Sequence, residues 1–332
     1  MLVLSIRNLS FNKIMNKKLI FLVISFFLFL IFSLLYQLNF FKIFEYNSVE
    51  YIIFFKIRLP RIIASLLIGA GLSVVGCVLQ SIFLNPLCDG YTLGISSSAG
   101  LGVILITLLN IPLTRFFGSF LGVAVSLFLV FVLLKTFKKT IDISFVLAGI
   151  VLNFFFSSFI VLLTMFFDPY RLHYILLWLL GSFSSLDRFY VYVVSSLIIV
   201  FIFITIIYSH KLDIIILGRE KSLSLGVDEQ KVKNILLFIS VIISALCVSL
   251  VGVISFVGVI IPNFVKMSIK LNHKYWILYS AFIGGIFVSF CDTLAKNLFS
   301  PIEAPISVFT GLLGSVFFVF YLFRSKGVLW KF

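Results

Sequence analysis

Long apolar runs recur along the whole chain, and many reach the ~20 residues that a helix needs to cross a ~30 Å hydrocarbon core. The runs are Leu19–Tyr36, Ile62–Leu84, Tyr91–Leu109, Phe116–Leu134, Ser144–Phe166, Phe189–Tyr208, Ile235–Val257, a short one near Ile260–Ile269, Trp276–Ala295 and Ile306–Phe323. With 62% hydrophobic and only 11% charged residues, the chain lacks the charge that a soluble domain of this length needs to cover its surface. The expected fold is therefore all-α: one polytopic domain, residues 1–332, with about ten transmembrane helices in a lipid bilayer. The first run is long and lacks a small-residue cleavage site, so it reads as an anchor and not a cleaved signal peptide.

Basic residues say which side is which. The N-terminal segment (Arg7, Lys13, Lys17, Lys18) and every second loop after it together hold eighteen of the 26 Lys and Arg residues. The positive-inside rule then places both termini in the cytoplasm. The same asymmetry accounts for much of the +14 net charge, and no nucleic-acid partner is needed to explain it.

Enzyme chemistry finds no foothold. No Gly-Lys dipeptide occurs, so no phosphate-cradling loop of the Walker type is present. HExxH, GxSxG and Cys/His clusters are missing too. The four cysteines lie in or beside apolar runs without CxxC spacing, which indicates neither a disulfide framework nor a metal site. Any ATP-driven work would fall to a separate polypeptide.

The longest cytoplasmic interval between expected helices, Lys211–Asn234, is a dock for such a partner. Leu212, Ile215, Ile216, Leu223 and Leu225 around Gly218 and Gly226 suit short helices laid on another protein, or an interfacial connector on lipid headgroups. At the opposite side Arg58 and Arg61 stand three apart and share one helix face. Small residues repeat at four-residue spacing in Gly69, Ser73, Cys77 and in Gly94, Ser98, Gly102, which lets membrane helices approach closely. Asn85-Pro86 breaks the apolar run, and Gln80 before it is expected to hydrogen-bond across helices. Ionisable groups inside apolar runs are scarce, Asp292 being the main exception, so a proton-driven secondary transporter is disfavoured.

Several separated motifs agree in order: Arg58-Leu-Pro-Arg61, Gln80 with Asn85-Pro86-Leu87, Leu93-Gly94-Ile-Ser96, Leu147-Ala148-Gly149, Trp178 with Gly181-Ser182, Leu217-Gly218 with Leu225-Gly226-Val227, Phe256-Val257-Gly258 with Ile261-Pro262, Asp292, and Glu303 with Pro305. In these the chain resembles permeases of the ABC-importer family that takes up iron-siderophore complexes, haem and cobalamin. The resemblance implies a multi-pass subunit of the plasma (inner) membrane. Its implied partners are a second copy of itself, two ABC ATPase subunits and an external substrate-binding protein. ATP and magnesium would sit on the ATPase, and this chain would bind no cofactor or metal.

The resemblance also implies roles. Arg58, Arg61, Lys296 and Glu303 would receive the binding protein. Leu217, Gly218, Arg219, Glu220, Ser222, Leu225 and Gly226 would couple to the ATPase. Asn153, Ser157 and Ser158 are polar candidates for the passage, or for packing. Departures from the family pattern fall at Ser255, Asn263, Arg219, Ser222 and Ser307. Ferric siderophore is the leading cargo, with haem and cobalamin behind it.

Overall fold

A computed structural model describes residues 48–91, 94–111, 114–136, 141–184, 186–268, 272–299 and 303–324. The expected anchor Leu19–Tyr36 lies outside them, as do the N-terminal basic residues and Leu93. The chain divides into two units, Met1–Arg61 and Ile62–Phe332.

In the first unit a helical turn, α1 (Val49–Tyr51), begins where the Ser48 hydroxyl accepts the Tyr51 N–H at 3.0 Å. It continues as a π-helical stretch, Ile52–Arg58. Such wide turns are uncommon and are frequent at functional sites.

Helix α2 (Leu59–Phe83) leads into the second unit, followed by α3 (Ile95–Leu108), α4 (Arg115–Thr136), α5 (Ile141–Thr164) and α6 (Pro169–Leu179). Then come α7 (Arg188–Ile215), α8 (Arg219–Ser224), α9 (Glu229–Val251), α10 (Val257–Ser268), α11 (His273–Asn297) and α12 (Ile306–Arg324). No strand occurs among the described residues. Each expected crossing after the anchor falls on one of these helices. Five helical runs are long and apolar enough to span a membrane: Val49–Phe83, Leu147–Thr164, Arg188–Ile215, Glu229–Val251 and His273–Asn297. The fold is that of a polytopic helical membrane protein.

Capping sets several helix starts. Asp187, Asp228 and Asn272 each accept a backbone N–H from the first turn of α7, α9 and α11. Pro169 opens α6, where its missing N–H costs nothing. Glycines decide how closely the helices pack. A Cβ on Gly69 would meet the Gly284 carbonyl of α11, and one on Gly76 the Gly258 carbonyl of α10. Gly102 of α3 meets Gly118 of α4 in the same way. The core lies between these seams, with Ile68, Ile198, Leu236, Ile243 and Ile277 all fully buried.

Two boundaries differ from expectation. Helix α7 runs past Tyr208 to Ile215, and α9 begins at Glu229, so the segment between long helices is 216–228 and not Lys211–Asn234. The reason is packing: Leu212 and Ile215 are buried and extend the core face of α7 beyond the apolar run. Helix α6 was not expected, because its polar start and eleven residues fall short of a membrane span.

Candidate functional site

Helix α2 stops at Phe83, and Leu84 takes a positive φ of 48°. Asn85 Oδ1 then accepts the Leu87 N–H at 3.0 Å, closing an Asx turn. The following turn is held from two sides. Asn263 Nδ2 donates to the Pro86 carbonyl at 2.8 Å, and Gly90 lies against Ser244 of α9 so closely that a Cβ would crowd its hydroxyl. Gly94, at φ 72°, starts α3 beside Gly149 and Asn153 of α5. Gln80, fully buried, donates to the Gly258 carbonyl at 3.0 Å, the cross-helix bond expected of it.

A second wall comes from three chain ends. Ser182 N–H donates to Val251 O at 2.8 Å, and Ile306 N–H to Gly181 O at 3.0 Å. Ser307 donates twice, from its N–H to Leu180 O at 3.2 Å and from its hydroxyl to Val253 O at 2.5 Å. Gly252, at φ 78°, lies so close to the Trp178 carbonyl that a Cβ has no room. Motifs far apart in sequence thus meet at one place.

Between these walls lies a cavity of about 640 Å³. Its polar lining is Asp89, Tyr91, Ser96, Ser97, Ser157, Ser255 and Ser307, set among Leu, Ile, Val and Phe side chains. No Lys or Arg lines it among the described residues. Ser97 and Ser307 give their hydroxyl hydrogens to Gly94 O and Val253 O and can only accept from a guest, while a hydroxyl such as that of Ser157 can donate to the oxygens of a polar molecule. Two of the family departures, Ser255 and Ser307, are lining residues. Asp89, in the turn between α2 and α3, is a second buried carboxylate beside Asp292 and stands at the cavity wall.

The three polar residues of α5 separate. Ser157 lines the cavity, whereas Ser158 is exposed on another face. Asn153 lies one turn before Ser157, and its buried Oδ1 has no hydrogen-bond partner among the described residues. In the small-residue series, Ser73 donates to Gly69 O at 2.8 Å and sits against Gly284, while the Ser98 backbone carbonyl faces Gly122 of α4.

In the segment expected to couple to a partner, Gly218 (φ 96°) and Gly226 (φ 74°) bracket α8. A Cβ at either would meet nothing, so it is the left-handed backbone and not space that calls for glycine. Ser222 is buried and its hydroxyl contacts Ile214 O at 3.2 Å and Gly218 O at 3.0 Å. Leu217, Leu223 and Leu225 each expose more than half of their surface. Arg219 and Glu220 are exposed beside them. Leu212 and Ile215, expected to face a partner, belong to the chain's own core.

Arg58 closes the π-helical stretch and Arg61 follows in the first turn of α2, both half-buried. In the other unit, Lys296 stands in the last turn of α11 and is half-buried. Ala304 N–H donates to Ala295 O at 3.1 Å, which returns the Glu303 segment to that helix end.

Sequence reasoning missed one cluster: His273 faces Asp213 and Ser81 at once. These residues are 60 and 192 positions apart, so no spacing could reveal them.

Comparison with known proteins gives a consistent answer. A Helicobacter pylori protein named as a probable iron chelatin transport system permease is 35% identical over 290 residues, covering 86% of each chain. The Yersinia pestis hemin transport system permease protein HmuU is 32% identical over 288 residues, covering 84% of this chain and 86% of that one. Among solved structures, a metal-chelate type ABC transporter in an inward-facing conformation shares 28% identity with a TM-score of 0.80, over 91% of this chain and 99% of that chain. The FecCD transport family model matches residues 20–324, and the chain belongs to that family of membrane transport permeases.

Proposed function

We propose that this permease passes a ferric-siderophore-type chelate from an external binding protein into the cytoplasm, driven by ATP hydrolysed on separate subunits. The cavity carries the reading. Its 640 Å³ lies within the roughly 300–1,000 Å³ of sites for drug-sized ligands, and its hydroxyls suit an oxygen-rich chelate. The iron chelatin relative supports the same cargo class.

The assembly is two copies of the chain, two ABC ATPase subunits and the binding protein, in the plasma (inner) membrane with both termini cytoplasmic. The apolar face of α5 that this chain leaves open, including Phe154, Phe155 and Phe159, supports a second copy across the passage. Leu217, Leu223 and Leu225 around α8 form the surface for the ATPase, which holds ATP and magnesium. Arg58 and Arg61 offer guanidinium forks for carboxylates of the binding protein. Lys296 adds a point charge, and Glu303 a carboxylate.

The test is uptake into proteoliposomes, with ferric hydroxamate, haem and cobalamin offered in parallel. Uptake of the ferric hydroxamate only when ATP, the ATPase and the binding protein are all present supports the proposal. Uptake without the ATPase would refute an ATP-driven importer, and ATP-dependent uptake of haem or cobalamin alone would replace the cargo.

A further inference from the structure

We propose that Asp213, His273 and Ser81 form a polar link that carries movement of the coupling segment to α2 and α11, and so to the cavity. The proposal rests on the reading of α8 as the ATPase dock. It begins at Ser222, whose single hydroxyl hydrogen lies between the carbonyls of Gly218 at 3.0 Å and of Ile214 at 3.2 Å, Ile214 being the residue after Asp213 in the last turn of α7. Asp213 Oδ1 accepts the backbone N–H of His273 at 3.0 Å and faces its ring Nδ1 at 2.5 Å. A carboxylate of one helix thus sits on the first residue of another, where the exposed N–H groups of α11 favour negative charge.

The far side of the ring reaches α2. His273 Nε2 lies 3.0 Å from Ser81 Oγ, while Ser81 donates to Cys77 O at 2.7 Å. Nδ1 donates to Asp213, and Nε2 either donates to Ser81 Oγ or accepts from it, so the ring bridges the two helices in its charged and its neutral form alike. Among the described residues Lys266 also faces this cluster, its ammonium 5.2 Å from the Trp276 ring that packs on His273. Ser81 is buried and does not line the cavity, so the Asp-His-Ser order is no nucleophile site.

From the ring the contacts continue to the cavity. Trp276 Nε1 donates to Pro262 O at 2.8 Å, and the next residue, Asn263, donates to Pro86 O. Leu87 and Asp89 beyond it are cavity wall. Helices α8, α7, α11, α10 and the turn after α2 are thereby joined by hydrogen bonds and one ring contact. Spatial continuity alone does not establish coupling, so the test must read coupling itself.

The experiment uses the full complex with ATPase and binding protein, the four native cysteines replaced, and Ser157→Cys as a reporter labelled by a water-soluble maleimide. In this parent, ATP is expected to change the labelling rate severalfold. Asp213→Ala should cut that ATP-dependent change at least fivefold while ATP hydrolysis stays within twofold. Asp213→Asn, which keeps an oxygen for the His273 N–H, should retain more than half of the change. Ser81→Ala, which removes one hydroxyl and leaves the helices intact, should give an intermediate loss. A full response in Asp213→Ala overturns the link alone, as does a loss matched by an equal fall in hydrolysis. A parent with no response to ATP overturns both the link and the function on which it rests.

Discussion

Helices α5 and α9 are alike as sequences and opposite as structures. Both are apolar and long enough to cross a membrane, yet 72% of an apolar 18-residue stretch of α9 is buried within the chain and only 17% of Leu147–Thr164 in α5. Serines and a cysteine on α9 (Ser240, Ser244, Cys247) are all buried, and α9 packs against α3, α4 and α7. Along α5, Leu147, Val151, Phe154 and Phe155 are exposed. In water such a face would be covered by folding. In a bilayer it is solvated by lipid or covered by another copy, so hydropathy cannot separate a helix that builds the core from one that waits for a neighbour.

The comparison breaks most readily at its core side. Leu236→Ala on α9, at a fully buried position, is expected to cost about 2–5 kcal/mol, whereas Phe154→Ala on α5, 71% exposed, should stay within about 0.5 kcal/mol. Thermal unfolding in detergent measures both, and equal losses would erase the distinction. The coupling segment should resemble α5. Replacing Leu217, Leu223 and Leu225 together with serine is expected to leave the melting temperature unchanged and weaken ATPase binding about tenfold, about 1.4 kcal/mol.

A smaller effect sharpens the core side. Gln80→Leu removes the donor to the Gly258 carbonyl and should cost about 1 kcal/mol by the same melting assay. Smallest is the Asp228 cap. The Lys231 backbone N–H holds its carboxyl below the ordinary aspartate range. Its contribution is therefore complete above the unfolded pKa and is lost as pH falls through the lowered folded value. Hydrogen exchange at the start of α9 should quicken in that acid window, and Asp228→Asn should flatten the pH dependence.

What was legible in the sequence follows physical range. Apolar runs placed the long helices because lipid rewards a local property. Gln80 could be read as a cross-helix donor because a buried amide must find an acceptor, although nothing local named Gly258. Asn85-Pro86 marked the end of α2 within two residues. The boundaries failed where tertiary packing overrode composition: Leu212 and Ile215 look like partner-facing residues until α7 is seen to continue through them. Of the cavity, Ser157 was legible, as a polar residue on an apolar helix. Ser307 was not, because its wall is joined by hydrogen bonds among Leu180, Gly181, Ser182, Val251, Val253 and Ile306, residues far apart in sequence.

In the proposed mechanism the cavity edged by α5 belongs to a passage that ATP opens and closes. Cysteine placed at Ser157, in a cysteine-free background, measures this in the assembled complex, with Ile243→Cys on α9 as the buried control. The account predicts that position 157 reacts with a water-soluble maleimide at a rate that changes severalfold on ATP binding, while position 243 stays unreactive. Position 157 unreactive in every nucleotide state, or reacting at one constant rate, would contradict it.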